Sequence, residues 1–375
     1  MDFSFSDEQE AIAGLAKQIL GDKATLERMT ELEKGAGPRF DPELWQEMAT
    51  AGLVGIAVPE QYGGAGLGFL ELALIAEQVG ATVAPVPFIE TAIMAALPIA
   101  EFGSETQREA WLPRVANGEA VLTAALMEGE SDPGKPTTTL RADGKGFRLS
   151  GTKVCVAAGQ IAERVLVPAT AEDGRVGIFV VDPRAQGVTV EAIGTTSSQP
   201  EAQIILDDVA VGPEDLLGDL DRGADMLAWI EERATAAQCS LALGVCAEAL
   251  QLTAEYTKGR EQFGQSIATF QAVGQRAADA YIDTEAIRLT SWQAAWRISE
   301  GLPATDQVAV AKYWASEAGQ RVVHTASHLH GGMGVDKDYA LFRYFCYAKQ
   351  LELTLGGTTP QLLKIGRILA AQPAA

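Results

Sequence analysis

Hydrophobic and polar positions follow a helical period over the first part of the chain. Ser6 and Gln9 have the spacing of a capping box, in which each side chain satisfies a free amide at a helix start. Apolar residues follow at intervals of three and four, and Gly21 is predicted to end the helix. The buried face of this helix is predicted to contain Ile12, Leu15 and Ile19.

A second helix is predicted to begin at Asp41, a favourable cap, with Pro42 in its first turn. Its end is predicted at Gly52, and residues 58–71 (VPEQYGGAGLGFLE) are predicted to form a glycine-rich loop. The buried side of this helix is predicted to contain Leu44, Trp45 and Met48.

Between residues 121 and 215 the period changes to that of β-strands. Short runs rich in β-branched residues are separated by turn signals such as Asp143-Gly144 and Asp173-Gly174. The runs are VLTAAL, FRLSG, KVCVA, RVLVPA, VGIFVV, VTVEAI and AQIIL. They predict an antiparallel β domain inserted between helical ones.

The helical period returns after Asp221 and continues to the end of the chain. Long, alanine-rich amphipathic stretches cover residues 223–259, 270–300 and 305–327, and a short helix is predicted after Thr358. This arrangement favours a four-helix bundle, which commonly forms oligomers. The whole pattern predicts an α+β protein with an N-terminal helical domain (residues 1–120), a middle β domain (121–220) and a C-terminal bundle (221–375).

Length and composition narrow the class of protein. A chain of 375 residues exceeds the roughly 250–300 residues at which a single core stops growing, so two or three packed units are expected. The 29 basic and 50 acidic side chains give a net charge of −21, which disfavours binding to nucleic acid or to an anionic membrane surface. The four cysteines form no CxxC pair, which argues against a disulfide framework or a zinc site. The start lacks a signal-peptide pattern and no apolar run approaches about 18 residues, so we expect a soluble, cytoplasmic protein.

Three motifs resemble binding sites but fit simpler interpretations better. Residues Gly129–Lys135 match most of a GxxxxGK phosphate loop, yet Pro136 replaces the magnesium-binding hydroxyl and no helical pattern follows, so an ordinary turn is favoured. His324 and His328 lie four residues apart on a predicted helix. No zincin glutamate separates them and no other ligand is close in sequence, so a metal site is not expected. The glycines of residues 63–68 lack the spacing and the preceding strand of a dinucleotide-binding fingerprint.

The segment from Tyr256 to Gln271 carries more information. There a long helix ends on Arg260, an aromatic Phe263 and Gly264 follow, and a new helix begins. An arginine near a helix end with a ring one turn later could bind a diphosphate and pack against an adenosine. A cation favoured by the helix dipole and a buried phenylalanine explain the same residues equally well.

Several motifs together resemble the acyl-CoA dehydrogenase family. RxxFG at Arg260–Gly264 is followed by the pair Phe270-Gln271, by HGGMG from His330 and by LGGTTPQLLKIGRIL from Leu355. The opening FSFSDEQ and the segment GLVGIAVPEQYGGAGLG are similar to the family's N-terminal domain, and the likeness covers essentially the whole chain. The resemblance implies a flavoprotein fold, FAD bound across a subunit interface, and oxidation of an acyl-CoA thioester at its α,β carbons.

The resemblance also implies which residues contact FAD. In family members the arginine and phenylalanine of RxxFG hold the diphosphate and adenosine end of a neighbouring subunit's FAD. They match Arg260 and Phe263, with Gln271 as the following contact. A QxxGG segment approaches the same cofactor and matches Gly331–Gly332, while His328 replaces the glutamine and can still donate a hydrogen bond. This half of the cofactor site is therefore expected to be usable.

No acid stands where the family carries its catalytic base. Most members place a glutamate in a YEGT-like turn, and the two registers of that turn put Leu355 or Gly356 at its position. Others place it 26 residues before the RxxFG arginine, which is Ala234 here, followed by Thr235 in place of the usual arginine. The resemblance therefore implies no catalytic residue in this chain.

Neighbouring residues do not replace the missing base or the family's flavin-ring contacts. Glu231, Glu232 and Glu352 are close in sequence, but a shift of two or three residues turns a helical side chain in another direction, so solvated surface acids are expected. The family lines the flavin ring with a TEP-like strand end and a Trp-Ile-Thr strand. The matching segments here are Leu126–Gly129 and Cys155–Ala157, which lack the indole and the hydroxyl.

A kept cofactor half-site beside a lost base predicts a division of labour. We hypothesise that the chain is the non-catalytic partner in a heteromeric acyl-CoA dehydrogenase whose flavin ring and base belong to a second acyl-CoA dehydrogenase subunit. Segments such as TAEYTKGREQF and HLHGGMGVDKD resemble the base-lacking subunit of the α2β2 enzymes of actinobacterial steroid side-chain catabolism. That resemblance implies a steroid-CoA substrate and an electron-transfer flavoprotein as acceptor. A homotetramer with a relocated base, a scaffold that binds no flavin and a P-loop nucleotidase remain as alternatives.

Overall fold

The structure is a computed structural model that describes residues 4–129 and 132–371. Its contacts divide the chain into two compact units. One unit combines Met1–Thr30, Phe69–Ala84 and Thr235–Ala375, and the other combines Glu31–Gly68 and Pro85–Ala234. Within the described ranges, every helix is either too short or too polar to span a lipid bilayer. The boundaries of three sequence domains at residues 120 and 220 stay predictions.

The N-terminal part of the chain is helical, as predicted. Ser6 forms its capping box with Gln9, since its hydroxyl accepts from the Gln9 amide at 3.2 Å. Asp41 caps a helix that starts at Pro42, and the predicted apolar face of that helix is buried. The helices are α1 (Asp7–Lys23), α2 (Leu26–Lys34), α3 (Pro42–Thr50), α4 (Phe69–Thr82), a π-helix (Ile89–Ala96), α5 (Leu97–Phe102) and α6 (Glu105–Ala116).

Some details of these helices were not predicted correctly. Gly21 does not end the first helix, because a glycine in an exposed helical position costs only about 1 kcal/mol relative to alanine and α1 continues to Lys23. Leu15 is 40% exposed, and the buried positions of α1 are Ala16 and Leu20. Helix α2 was not identified, although Leu26, Met29 and Leu32 recur every three residues; it is only nine residues long and buries one of them, Met29.

The middle of the described chain forms a sheet of seven strands. They are β1 (Leu122–Ala124), β2 (Thr139–Asp143), β3 (Gly146–Val156), β4 (Arg164–Ala171), β5 (Val176–Val181), β6 (Val188–Ile193) and β7 (Glu201–Val211). The order is β1-β4-β2-β3-β7-β6, and β5 also pairs with β4. FRLSG and KVCVA belong to one strand, β3, and β2 was not predicted.

The sheet is mixed, which corrects the prediction of a purely antiparallel domain. Strand β4 pairs in parallel with β1 and with β2, while the β2–β3, β3–β7, β4–β5 and β6–β7 pairs are antiparallel. Parallel neighbours need a long connection, and residues 125–163 provide one between β1 and β4. Aliphatic residues of β3, β4 and β7, with Phe179 of β5, form the core of the sheet.

The C-terminal part of the chain is again helical. Its elements are α7 (Gly223–Gly259), the hairpin strands β8 (Glu261–Gln262) and β9 (Gln265–Ser266), α8 (Gln271–Ser299), α9 (Thr305–His330), α10 (Ala340–Leu353) and α11 (Thr358–Ala371). The three long helices and the helix after Thr358 were predicted. Helix α10 was not, because it is buried on more than one side and so lacks a single apolar face.

Helix α4 and the C-terminal half of α7 approach each other at two glycines. Gly80 faces the carbonyl of Leu241, and Gly244 faces the carbonyl of Glu77. A Cβ atom at either position would collide with the facing backbone oxygen. Helix α8 joins this contact, because the Trp292 indole donates to the Glu77 carboxylate at 3.1 Å. Backbone contact therefore fixes the helices that carry the candidate site.

Candidate functional site

The RxxFG motif forms a tight hairpin directly after α7. Strands β8 and β9 pair, and Phe263 and Gly264 are the two residues that connect them. Their φ angles of +56° and +78° are those of a type I′ turn. A non-glycine residue in this backbone region costs roughly 1–2 kcal/mol, yet the Phe263 side chain is 93% exposed. Its exposure rules out the alternative interpretation of Phe263 as a core residue of this chain.

Arg260 begins the hairpin with an exposed side chain. Among the described residues its guanidinium has no ion-pair partner, so its charge is available to an external anion. The hairpin beneath it is well anchored. The Ile267 amide donates to the Arg260 carbonyl at 2.8 Å, and the Ser266 hydroxyl donates to the Thr257 carbonyl at 2.9 Å.

Gln271 is the first residue of α8 and is exposed. Phe270 precedes it at the cap position and offers no side-chain hydrogen bond to the helix start, and the first turn contains no acid. The Phe270 ring lies edge-on to Phe263, with 6.1 Å between the ring centroids. A helix start without a side-chain cap attracts anions through its amides and dipole, so this helix end and Arg260 are suited to the same kind of ligand.

The second predicted segment lies at the end of α9. His328 is exposed in the last turn, and Gly331 ends the helix with a φ of +59°. A Cβ atom at Gly331 or Gly332 would meet no atom of the chain within 4 Å. Packing within the described chain therefore does not require glycine at Gly332, and the backbone is open to close approach from outside.

Aromatic residues that were not predicted as site residues bring these two segments together. The Tyr256 ring stacks on the His330 ring, with 4.3 Å between centroids and 24° between planes. Tyr339 places its hydroxyl 3.3 Å from Nε2 of His330. Tyr256 lies four residues before Arg260, which puts both on one side of the helix end, and this spacing could have identified it. No comparable signal marks Tyr339.

An open groove of about 870 Å³ runs between α8 and α9, and His328 is one of its lining residues. Its walls include Arg276 and the pair Arg321–Asp283, whose Nε to Oδ2 distance is 2.8 Å. His324 also lines the groove and packs edge-on against Phe345, with 5.0 Å between ring centroids. The predicted cofactor contact at His328 is thus part of the lining of this groove.

Neither of the positions at which family members carry their catalytic base has an acid in this chain. Ala234 is fully buried. Leu355 is 8% exposed and Gly356 follows it, both with left-handed backbone at φ +56° and +88°. The Gln361 amide donates to the carbonyls of Leu355 and Gly356 at 3.3 and 3.4 Å, so a neutral side chain supports this turn.

The three neighbouring glutamates are not the solvated surface acids that were predicted. Glu231, Glu232 and Glu352 are all partly buried. Glu352 pairs with Lys349 on its own helix, and a Glu232 oxygen lies 3.8 Å from the Arg233 guanidinium. Both basic partners are close in sequence, so the spacing could have indicated that Glu232 and Glu352 are paired.

In the β-sheet, the residue that matches the family's strand-end glutamate is turned inward. Glu128 pairs with the fully buried Lys153 and accepts from the Thr138 hydroxyl at 2.6 Å. Burial opposes its ionisation, but Lys153 and the hydroxyls of Thr137 and Thr138 outweigh burial and lower the pKa of Glu128 to about 2. This side chain holds strands together and does not face outward toward a ligand.

The residue at the family's tryptophan position is Cys155, which is exposed and has a φ of +49°. Burial of the sulfur and the nearby carboxylate of Glu201, to which the thiol hydrogen-bonds, raise the pKa of Cys155. A neutral thiol beside a buried carboxylate offers an isoalloxazine ring little stacking area. The described residues therefore fit the ADP end of a flavin and do not fit its ring.

Two weaker motifs were also located. Glu130 and Ser131 of the Gly129–Lys135 motif lie outside the described residues, and strand β2, not a helix, follows the motif. The Lys135 amide donates to the Asp132 carbonyl at 2.8 Å, as in an ordinary turn. His324 and His328 both lie exposed on α9, and the part of the chain that the structure describes has no group of three His, Cys, Asp or Glu residues that could hold a metal.

Comparison with known proteins gives consistent matches over the whole chain. Family models for the acyl-CoA dehydrogenase N-terminal, middle and C-terminal domains match residues 6–119, 127–209 and 223–370. Acyl-CoA dehydrogenase FadE27 of Mycobacterium tuberculosis is 40% identical over 100% of both chains. A chain of the ChsE4-ChsE5 complex from Mycobacterium tuberculosis superposes with a TM-score of 0.94 at 41% identity over 100% of both chains. A chain of the Tcur3481-Tcur3483 steroid ACAD gives a TM-score of 0.90 at 43% identity, covering 97% of this chain and 98% of that one.

These matches confirm the predicted fold class. The order of helical region, β-sheet and helical bundle is that of the matched structures, and each of the three regions matches its own family model. The chain therefore belongs to the acyl-CoA dehydrogenase family, whose members are FAD-dependent oxidoreductases that act on CH–CH bonds.

Proposed function

We propose that this chain is the subunit of a heteromeric acyl-CoA dehydrogenase that holds the ADP end of FAD. A second acyl-CoA dehydrogenase subunit supplies the flavin-ring site and the catalytic glutamate. The observation that supports this most directly is a contrast between two sets of matched positions. The side chains of Arg260 and Phe263 are exposed and face away from the core of their own chain. Ala234 and Leu355 are buried, and neither is an acid.

The role of this chain toward the cofactor is binding and orientation. Arg260 pairs with the diphosphate, Phe263 packs against the adenosine, and Gln271 and His328 donate hydrogen bonds. The Gly331–Gly332 backbone allows close approach. When bound, FAD supplies the acceptor for the hydride that leaves the β carbon of the acyl-CoA. Removal of the α proton belongs to the second subunit, because neither matched position in this chain has a carboxylate.

The proposal extends to substrate and partners. The similar structures include the Tcur3481-Tcur3483 steroid ACAD and the ChsE4-ChsE5 complex. We assign this chain a bulky steroid-CoA thioester as substrate and an electron-transfer flavoprotein as acceptor. All four cysteines are free thiols, which supports a working place in the reducing cytoplasm.

Purification of the chain alone and with its partner subunit tests the division of labour. The isolated chain should not reduce bound flavin with an acyl-CoA, and the complex should carry one FAD per pair of subunits. An isolated chain that bleaches its own flavin with a CoA ester would favour the homotetramer with a relocated base. A complex that turns over without any flavin contact to this chain would favour the scaffold.

Arg260→Ala tests the ADP-end contact. Loss of the guanidinium should lower the flavin content of the complex without preventing its assembly, because Arg260 makes no ion pair with described residues. Arg260→Lys should be intermediate, since lysine cannot form a bidentate contact with phosphate. Lys258→Ala, which removes an exposed cation from the same helix end, is the matched control and should keep the flavin. Unchanged flavin occupancy in Arg260→Ala would contradict the proposal.

A further inference from the structure

We infer that Tyr256 and His330 are positioning residues that hold the two ADP-binding segments at a fixed separation. This inference rests on the proposed function, because it gives a role to residues that lie behind Arg260 and Gly331–Gly332. The two segments are about 70 residues apart in sequence, so their relative position depends on contacts between helices. The Tyr256–His330 stack is the ring contact that connects the end of α7 to the end of α9.

Each ring is tied closely to a predicted cofactor contact. The Arg260 amide donates to the Tyr256 carbonyl at 2.8 Å, so a shift of Tyr256 displaces the start of the hairpin. His330 directly precedes Gly331, where the backbone turns out of the helix at a φ of +59°. With 4.3 Å between ring centroids, a displacement of either ring moves a segment that faces the cofactor.

Hydrogen bonds fix the orientation of the His330 ring. Nδ1 lies 2.8 Å from the Ala326 carbonyl, which can only accept, so Nδ1 carries the proton. Nε2 is then the acceptor for the Tyr339 hydroxyl at 3.3 Å. His330 is 3% exposed, and burial lowers its pKa, which keeps the ring neutral at neutral pH. A ring with both nitrogens bonded cannot turn without losing both hydrogen bonds, so it presents a constant face to Tyr256.

The hairpin side of the stack is equally constrained. The Ser266 hydroxyl donates to the Thr257 carbonyl at 2.9 Å, which ties strand β9 to the residue after Tyr256. Bidentate contact between a guanidinium and a diphosphate depends on geometry, so a backbone that already holds Arg260 near its bound position lowers the entropy cost of binding. A stack that sets the distance from Arg260 to Gly331–Gly332 therefore contributes to affinity without touching the ligand.

The test measures FAD affinity of the complex of this chain with its partner subunit. Tyr256→Leu, which removes the ring, should weaken FAD binding about tenfold or more, and Tyr256→Phe, which keeps the ring, should stay within about twofold of the unchanged chain. Tyr344→Leu is the matched control. Tyr344 is another tyrosine of this unit, buried where Tyr256 is half-buried, and its hydroxyl donates at 2.8 Å to the Ala81 carbonyl of α4, which belongs to neither segment.

A milder variant covers the case in which Tyr256→Leu does not assemble. Tyr339→Phe removes only the hydroxyl that orients His330, and it should weaken FAD binding by a factor between about two and ten. In the double variant Tyr256→Leu with Arg260→Ala, the loss of affinity should be smaller than the sum of the two single losses, because part of the effect of the stack passes through Arg260.

Several outcomes would overturn the inference. FAD binding by Tyr256→Leu that equals that of the unchanged chain, or equal losses in Tyr256→Leu and Tyr344→Leu, would show that the stack only supports folding. An unaltered affinity in Tyr339→Phe would count against the orienting role of the hydroxyl. If the proposed function itself were wrong, the result would be different, because the complex with Arg260→Ala would then keep its flavin. Loss of flavin in Arg260→Ala together with retention in Tyr256→Leu would contradict this inference alone.

Discussion

Phe263 combines a strained backbone with an exposed ring. Glycine is favoured at positive φ in a type I′ turn because it lacks a Cβ, and asparagine and aspartate because their short polar side chains hydrogen-bond to the nearby backbone. Phenylalanine has neither advantage. The exposed ring gains little within this chain, since it is 93% accessible. A strained backbone under a ring that buries little area within its own chain is what the proposed contact of Phe263 with FAD predicts.

Phe263→Asn should separate folding from binding. Asparagine adopts left-handed backbone more easily, so the free energy of unfolding should stay constant or rise by up to about 1 kcal/mol. The flavin content of the complex should fall, because the ring that packs against adenosine is gone. Denaturant unfolding and flavin counting measure the two effects, and Gln265→Ala on the same hairpin should change neither. Lower stability together with full flavin content would contradict the assignment.

At the scale of the elements, the contact of α4 with α7 depends on glycine. Gly244→Ala should lower the free energy of unfolding by about 1–3 kcal/mol, because the new methyl group collides with the Glu77 carbonyl. This loss should occur although alanine favours helix by about 1 kcal/mol. Gly14→Ala in α1 is the control, because a methyl group there meets no atom within 4 Å and should stabilise the chain slightly. Equal effects of the two variants on urea unfolding would disprove the close contact.

Helix α9 caps the end of α10 from a buried position. Lys312, 1% exposed, donates to the Leu351 carbonyl, and the Ser316 hydroxyl donates to the Glu352 carbonyl at 3.2 Å. The residues that follow form the turn in which the family carries its base. Burial lowers the pKa of Lys312 to about 8.

The depressed pKa of Lys312 predicts a dependence of stability on pH. The folded chain releases the Lys312 proton near pH 8 and the unfolded chain near the ordinary lysine value of about 10.5, so the unfolded state binds more protons between these values. Lys312 should therefore contribute a rise in the free energy of unfolding with pH over this interval, of at most about 1.4 kcal/mol per pH unit. The buried thiols of Cys239 and Cys246, whose pKa is raised to about 12, contribute in the opposite direction, so the contribution of Lys312 is measured as the difference from a variant without it. Lys312→Met should lack this rise. Parallel pH profiles of the two proteins in denaturant unfolding would show that Lys312 does not titrate as stated.

At the scale of the whole molecule, the proposed function predicts that the cofactor site is complete only with a second subunit. A ligand raises the melting temperature only of a species that binds it. At a free ligand concentration about one hundred times the dissociation constant, the free energy of unfolding rises by about 2.7 kcal/mol. Micromolar FAD should therefore raise the melting temperature of the complex by several degrees and leave that of the isolated chain unchanged. Differential scanning calorimetry measures both, and an equal rise for the isolated chain would mean that it binds the whole cofactor alone.

The sequence by itself determined the order of helical region, β-sheet and helical bundle, because side-chain burial repeats every 3.6 residues in a helix and every two in a strand. It also determined the family, since RxxFG and HGGMG can be read directly from residue identities, and it showed that Ala234 and Leu355 carry no acid. Only the tertiary structure decided that Phe263 is exposed, that Tyr256 meets His330 and that β4 pairs in parallel with β1. Those features depend on contacts between residues far apart in the chain, and local periodicity carries no information about which distant segments meet.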